Sequence, residues 1–273
     1  MKIDAKTLLC ATIANPNRGA KSPIMHNAGF EALGLNYVYM AFEPTDLGGA
    51  LNAMRALDIK GFSVSKPYKE EVIKYVDEID EIAKKIGAVN TVHNVNGKLK
   101  GYNSDWIGAL AALQEITQVE KKKVFVVGAG GAGRAIAYGL KTKGANVVMF
   151  NRSKERAQKV ATELGVGYGG GLDNLLQNKN YDILVNATSV GFYPNVAESV
   201  IPKNVLVKDK VVLDVVFNPL ETQLIKDARA AGCKVALGIR MLVLQGAFQF
   251  QLFTGEKPPI EIMQKALEQA LLQ

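Results

Sequence analysis

Residues 124–135 read VFVVGAGGAGRA, an apolar run that gives way to glycines and alanines and then an arginine. Val124 to Val127 are mostly β-branched and apolar without alternation, as expected of a strand buried on both faces of a parallel sheet. From Ala132 through Leu140 the residues are small and fall at helical spacing. In the seam, Gly128, Gly130 and Gly133 fit the pattern G-x-G-x-x-G. Glycine there tightens the turn, lets the backbone approach a pyrophosphate, and packs the helix closely on the strand. Ala129, Gly131 and Ala132 keep the rest of the turn small, and the helix start offers free N–H groups to phosphate. A glycine-rich strand–helix turn without a ligand shows the same spacing, so the flanking sequence has to decide.

After the helix, Gly144 closes it and Ala145 to Phe150 form a second apolar strand. That strand ends in Asn151-Arg152-Ser153-Lys154. An NAD-preferring fold usually carries an acid here to bind the ribose 2′-hydroxyl. This chain has Asn151, and the nearest acid, Glu155, falls inside the next helix. A 2′-phosphate meets a guanidinium and hydroxyl at Arg152 and Ser153 with no carboxylate to repel it, which predicts NADP as cofactor. The competing reading is a solvated helix start with Ser153 as N-cap and Glu155 set against the helix dipole.

The 273 residues allow one large domain or two modest ones, and 48% hydrophobic residues suffice for a sizeable core. The net charge of +7 suits an anionic ligand, but the basic residues are scattered. Their one run, Lys121 to Lys123, precedes a strand and reads as a solvated loop, and no nucleic-acid module is evident. Cys10 and Cys233 are too few for a disulfide framework, and with only His26 and His93 there is no metal-ligand pattern. The start MKIDAKTLL has no signal-peptide apolar stretch, and Met241 to Phe253 is too short and too interrupted by glutamine to span a bilayer. A cytoplasmic enzyme with a small-molecule substrate and no membrane partner is the expectation.

The first hundred residues have a βα rhythm of their own. Strands are expected at 7–13, 36–42, 60–64 and 91–95, the last running into an Asn96-Gly97 turn, with helices at 23–33, 46–57, 69–76 and 78–86. A helix over 104–118 leads to the glycine-rich strand, and further strands are expected near 147, 182, 211 and 234. After Gly238 the chain reads as two helices, 240–253 and 259–271, with no strand left to follow. The expected fold is α/β in two lobes with a cleft between them. An N-terminal substrate lobe (1–104) precedes a doubly wound Rossmann-type lobe (105–238), and C-terminal helices (239–273) return to the first lobe.

Polar residues gather at predicted strand ends: GFSVSKPYK at 61–69, GAVNTV at 87–92, GYNSD at 101–105, NATSVG at 186–191 and DVVFNP at 214–219. Each alone reads as turn chemistry. Lys69 in the first is placed at a helix start, where a cation is unfavourable against the dipole and hints at another task.

Together with VVGAGGAGRA, NRS and the glutamine of MLVLQGA, these segments resemble the shikimate dehydrogenase family along nearly the whole chain and in order. The resemblance implies NADP-dependent, reversible reduction of 3-dehydroshikimate to shikimate, in the pathway to chorismate and the aromatic amino acids. It implies a proton-transfer pair, Lys69 and Asp105. Substrate contacts carry over to Ser22, Ser65, Asn90, Phe217 and Gln245, and cofactor contacts to the glycine turn, Asn151, Arg152, Ser153, Thr188, Ser189 and Gly238. Tyr68 is expected to wall the site. The protein is expected to be a monomer or a homodimer.

The chain departs from the family pattern in its acid-binding corner. The family's S-x-S-P is Ala20-Lys21-Ser22-Pro23 here, its usual asparagine is Ser63, and its usual tyrosine is Phe217. Lys21 either compensates as a cation or faces solvent. Quinate or another ring hydroxy acid therefore stays open as substrate, as does a weakly catalytic NADP-binding sensor.

Overall fold

Strand order explains where the functional groups collect. The computed structural model describes residues 3–17 and 19–272, so the first two residues of MKIDAKTLL lie outside the described residues. Two compact units emerge. One comprises the residues up to Ser104 together with those from Gln245 onward; the other runs from Asp105 to Leu244.

The first unit holds strands β1 (Leu8–Ile13), β2 (Tyr37–Phe42), β3 (Gly61–Val64), β4 (Glu78–Ile79), β5 (Thr91–Val95) and β6 (Lys98–Tyr102). They form one mixed sheet in the order β2-β1-β3-β5-β6-β4. β1, β2 and β3 are parallel, whereas β5 runs against both β3 and β6. The C-terminal ends of β3 and β6 therefore lie on the same rim as the N-terminal end of β5, and Thr91 pairs with Ser63 on one side and Tyr102 on the other. The β5–β6 turn is Asn96-Gly97 with both φ positive, the geometry that Asn-Gly hairpin turns favour.

Helix α1 (Ser22–Ala32) blocks the free edge of this sheet. The carboxamide of Asn27 accepts from the Tyr39 N–H at 2.8 Å and donates to the Tyr39 carbonyl at 2.9 Å, as a neighbouring strand would. α2 (Leu47–Ala56) packs Leu51 and Met54 on one sheet face, against Phe62, Val64, Val92 and Leu99.

Two expected helices are shorter than the sequence predicts. The 69–76 segment is a turn followed by a single 3₁₀ turn, Val72–Tyr75. The Lys69 carbonyl, which a helix would give to residue 73, is taken by the Val89 N–H at 2.7 Å. Lys69 thus does not open a helix, and the dipole argument for its function does not hold. The segment 78–86 becomes α3 (Glu81–Ile86), because Glu78 and Ile79 pair with β6 as β4 and Asp80 then caps the helix.

The second unit begins with α4 (Asp105–Gln114) and continues with β7 (Lys123–Val127), α5 (Gly131–Thr142), β8 (Asn146–Phe150), α6 (Lys154–Leu164) and β9 (Gly167–Gly170). α7 (Leu172–Leu176), β10 (Ile183–Asn186), β11 (Val211–Asp214), α8 (Gln223–Ala230) and β12 (Lys234–Ala236) complete its sheet. α4 is shorter than the expected 104–118. The sheet is parallel throughout in the order β12-β11-β10-β7-β8-β9, a doubly wound arrangement whose order reverses between β7 and β10.

α9 (Gly238–Thr254) starts in the second unit and ends in the first, and α10 (Ile260–Leu271) packs on α1. Gly29 makes the latter packing close, since a Cβ there would meet Phe250 at 2.8 Å and Met263 at 3.2 Å. Among the described residues no helix is long and apolar enough to cross a membrane.

Candidate active site

In the second unit the glycine turn sits at the β7/β10 switch point. Gly128 has φ +115°, and a Cβ on it would lie 2.9 Å from the Ala187 carbonyl oxygen. A Cβ on Gly133 would lie 1.9 Å from the Gly128 oxygen, so the helix can approach the strand only with glycine there. A Cβ on Gly130 would meet nothing within 4 Å. The first and third glycines satisfy the protein's own packing, and the second leaves open space at the start of α5. No side chain caps that start, so the N–H groups of Gly131, Ala132 and Gly133 are available to phosphate oxygens. These residues fit a dinucleotide.

Asn151 and Arg156 hold the turn in place. Asn151 Oδ1 accepts from the Ala129 N–H at 3.3 Å while its Nδ2 donates to the Ser153 carbonyl. Arg156 Nε donates to the Ala129 carbonyl at 3.0 Å. Arg152 is exposed beside this turn. Ser153 caps α6, accepting from the Arg156 N–H at 3.2 Å and donating to Glu155 at 2.9 Å. That is the capping geometry of the competing sequence reading, and it engages the Ser153 hydroxyl within the chain.

Across the switch point Asn186 and Asp214 organise two loops. Asn186 Oδ1 accepts from the Thr188 N–H and hydroxyl, and Thr188 Oγ1 accepts from the Val190 N–H, which shapes the turn carrying Ser189. Asn186 Nδ2 donates to Asp214 Oδ1 at 2.9 Å. The fully buried Asp214 also accepts from the Val216 N–H and the Thr222 hydroxyl. Burial dominates these hydrogen bonds and pushes its carboxyl up to about 6. Gly238 is required by packing, because a Cβ there would meet the carbonyl oxygens of Asp214, Val215 and Val216 within 2.7 Å. Phe217 also belongs to this unit, where it meets Phe192 edge-on.

In the first unit the rim formed by β3, β5 and β6 carries Ser65, Asn90 and Ser104, and α9 adds Gln245. Asn90 Oδ1 accepts from the Ser104 N–H at 2.7 Å, and Asn90 Nδ2 donates to Gln245 Oε1 at 3.3 Å. Ser104 Oγ donates to the same Gln245 oxygen at 2.9 Å. The Ser65 hydroxyl has no partner among the described residues and is half-buried. Lys69, also half-buried, lies one turn after it. Its ammonium lowers the pKa of Lys66, second to the burial of that side chain. Tyr68 is buried in the core of this unit and donates to the Pro44 carbonyl. Asp105 follows Ser104 directly and is buried as the first residue of α4, so its backbone is fixed within one peptide of the Asn90 contacts. Ser22 opens α1 and is half-buried, and Lys21 Nζ donates to the Ala270 carbonyl at 3.2 Å. Lys21 is thus neither a pure solvent cation nor committed to a ligand.

Thr91, Tyr39 and Gln249, which the sequence did not single out as site residues, extend this network inward together with Ser63, which the sequence marked as a departure from the family's asparagine. Gln249 follows Gln245 by one helical turn in the same MLVLQGAFQF run, a spacing that could have marked it. Among the described residues no group of three or more His, Cys, Asp or Glu could hold a metal.

Family models match three stretches. The shikimate dehydrogenase substrate binding domain matches residues 12–92, shikimate/quinate 5-dehydrogenase matches 110–208, and the shikimate 5′-dehydrogenase C-terminal domain matches 238–268. A shikimate dehydrogenase (NADP(+)) from Pyrococcus furiosus is 47% identical over 265 residues, 96% of each chain. A shikimate dehydrogenase solved in complex with NADP+ superposes with TM-score 0.95 at 42% identity, covering 100% of this chain and 98% of the other. A Thermus thermophilus shikimate 5-dehydrogenase in complex with NADP(H) and shikimate gives TM-score 0.91 at 36% identity, covering 97% and 100%.

Proposed function

The chain belongs to the shikimate dehydrogenase family, and from that premise we propose that it catalyses the reversible NADP-dependent reduction of 3-dehydroshikimate to shikimate, with Lys69 and Asp105 as the proton-transfer pair. The observation that carries the reading is the coexistence of a dinucleotide-shaped glycine turn in one unit with a rim of hydrogen-bonded amides and hydroxyls in the other, in the same unit as the half-buried Lys69.

Reduction of the ketone needs a hydride at carbon and a proton at oxygen. Bound NADPH supplies the hydride. The Lys69 ammonium polarises the carbonyl and delivers the proton, and in the reverse direction the amine accepts it from the hydroxyl. The Asp105 carboxylate orients the ammonium by a charge-assisted hydrogen bond. Ser22, Ser65, Asn90 and Gln245 hold the ring substituents by neutral hydrogen bonds, and Phe217 contributes an apolar surface. The glycine turn and the α5 N-terminus would hold the pyrophosphate, Arg152 would meet the 2′-phosphate beside the turn that Asn151 ties, and Thr188, Ser189 and Gly238 would line the nicotinamide end, while the Ser153 hydroxyl stays engaged as the α6 cap.

A second reading, turnover of quinate or another ring acid, is favoured by one observation. Ala20 and Phe217 each lack a hydroxyl that the family pattern places toward the substrate, and Lys21 is tied to Ala270. Parallel rates of nicotinamide reduction with shikimate and quinate, each with NADP⁺ and NAD⁺, separate the two. Highest kcat/KM for shikimate with NADP⁺ is expected; higher kcat/KM for quinate replaces the substrate assignment, and a preference for NAD⁺ replaces the cofactor assignment.

A further inference from the structure

Two sets of hydrogen bonds organise the dinucleotide site of the second unit. Asn151 and Arg156 hold the glycine turn through Ala129. The other set centres on Asp214, a buried carboxylate for which the proposed proton transfer has no use. β10 and β11 are neighbours, and their last residues, Asn186 and Asp214, are register partners at the point where both strands give way to loops. The Thr188 N–H, which only donates, meets Asn186 Oδ1 at 3.0 Å and so turns the Asn186 NH₂ toward Asp214. Asp214 Oδ1 accepts from that NH₂ at 2.9 Å and from the Val216 N–H at 3.1 Å. Its Oδ2 accepts from the Thr222 hydroxyl at 2.6 Å, and Thr222 caps α8 by accepting from the Ile225 N–H. One carboxylate thus ties the turn at Thr188–Val190, the end of β11 and the start of α8. Gly238 lies against the backbone carbonyls of Asp214, Val215 and Val216. Asn186, Asp214 and Thr222 are all buried, so water does not stand in for these contacts.

We propose that Asp214 is a positioning residue for the nicotinamide end of the cofactor: by gathering Asn186, Val216 and Thr222 on its two oxygens, it fixes the turn that carries Thr188 and Ser189 against the segment that carries Phe217 and the start of α9. The inference rests on the assignment of Thr188, Ser189 and Gly238 to that end. The adenosine end depends on the other set, around Ala129. Loss of Asp214 therefore loosens one end of the nucleotide and leaves the other held. Acceptor geometry at Oδ1, rather than charge, is what the two donors there require, and an asparagine oxygen supplies it. The asparagine NH₂ then faces Thr222 Oγ1, which has lone pairs to accept it.

Titration with NADP⁺ and with 2′,5′-ADP, which keeps the adenosine and its 2′-phosphate and lacks the nicotinamide riboside, tests this. Asp214→Ala is expected to raise the Kd for NADP⁺ about fivefold to thirtyfold, as loss of one or two buried hydrogen bonds would, with the Kd for 2′,5′-ADP within twofold. Asp214→Asn is expected to keep both within about threefold. Asn186→Ala cuts the same contact from the other side while Asp214 keeps two donors, and it is expected to show the Asp214→Ala pattern even where Asp214→Ala does not fold. Equal losses for the two nucleotides in Asn186→Ala, unchanged NADP⁺ affinity in Asp214→Ala, or an Asp214→Asn as weak as Asp214→Ala overturns the inference. Shikimate-dependent NADP⁺ reduction by the unmodified protein leaves the functional reading intact in each of those cases. Its absence overturns that reading and, with it, the assignment on which the inference rests.

Discussion

The two units bury titratable groups of opposite character. In the first unit His26 is fully buried, stacked on Tyr39 with ring centroids 4.2 Å apart and planes 4° from parallel. Neither of its nitrogens meets a partner in hydrogen-bonding geometry, and burial pushes its pKa down to about 3, the nearby Gln249 amide offsetting only part of this. It is a neutral ring behind a neutral hydrogen-bond network. In the second unit Asp214 is equally buried but accepts three hydrogen bonds, and burial raises it to about 6. Apart from the Lys69 ammonium, the rim of the first unit is built of uncharged amides and hydroxyls, whereas the second unit sets a helix N-terminus and the Arg152 guanidinium beside its glycine turn and a carboxylate between two loops. A ring of hydroxyls is recognised by direction and a dinucleotide by its phosphates, which is the division of labour this pairing predicts.

The largest effect that would sharpen the contrast is at Arg152. Removing it is expected to weaken NADP⁺ binding about tenfold to a hundredfold, since a hydrogen bond to a charged group contributes about 1.5–3 kcal/mol. NAD⁺ binding and the KM for shikimate should stay within a few fold. Fluorescence titration of Arg152→Ala with both nucleotides measures this; equal losses for the two would show that Arg152 does not read the 2′-phosphate.

Smaller and opposite in sign are the pH dependences of stability. His26 has its folded pKa below the unfolded value of 6.5, so the unfolded chain binds the proton and stability is lost as pH falls below 6.5. From pH 8 to pH 5 that loss is about 2 kcal/mol. Asp214 has its folded pKa above the unfolded value of 3.8, so its contribution is full below 3.8 and is lost as pH rises through about 6. Between the same two pH values it offsets the histidine by about 1 kcal/mol. Urea unfolding of Asp214→Asn should show a steeper loss of stability toward pH 5, and His26→Leu should show stability rising in that direction. Parallel pH profiles in the two variants would erase the distinction between the units.

Much of this was legible in the sequence because it depends on short-range constraint. The glycine turn announced the switch point, since only glycine tolerates φ +115° at Gly128 and the 1.9 Å approach at Gly133. The absence of an acid at Asn151 is likewise a local fact. The polar rim was legible as a set of strand ends, but the β5–β6 hairpin that brings them together was only half seen: the Asn96-Gly97 turn was read and β6 was not. β9 was invisible because its sequence, GYGG, has no strand-forming pattern and owes its state to pairing with β8. The expected helix at 69–76 failed for a tertiary reason, the capture of the Lys69 carbonyl by Val89. Ser63 read only as a departure from the family's asparagine and Gln249 only as a polar break in an apolar stretch, because a buried hydrogen bond across 186 positions leaves no local trace.

The most direct test is Lys69→Ala, measured twice on the same preparation. The proposed function assigns proton delivery at the ketone oxygen to Lys69 in the first unit and nucleotide binding to the second. Turnover of shikimate should fall about a hundredfold to ten-thousandfold in kcat, while the Kd for NADP⁺ stays within twofold of the unmodified protein. A kcat retained within a few fold would contradict the assignment of Lys69 as the proton-transfer group.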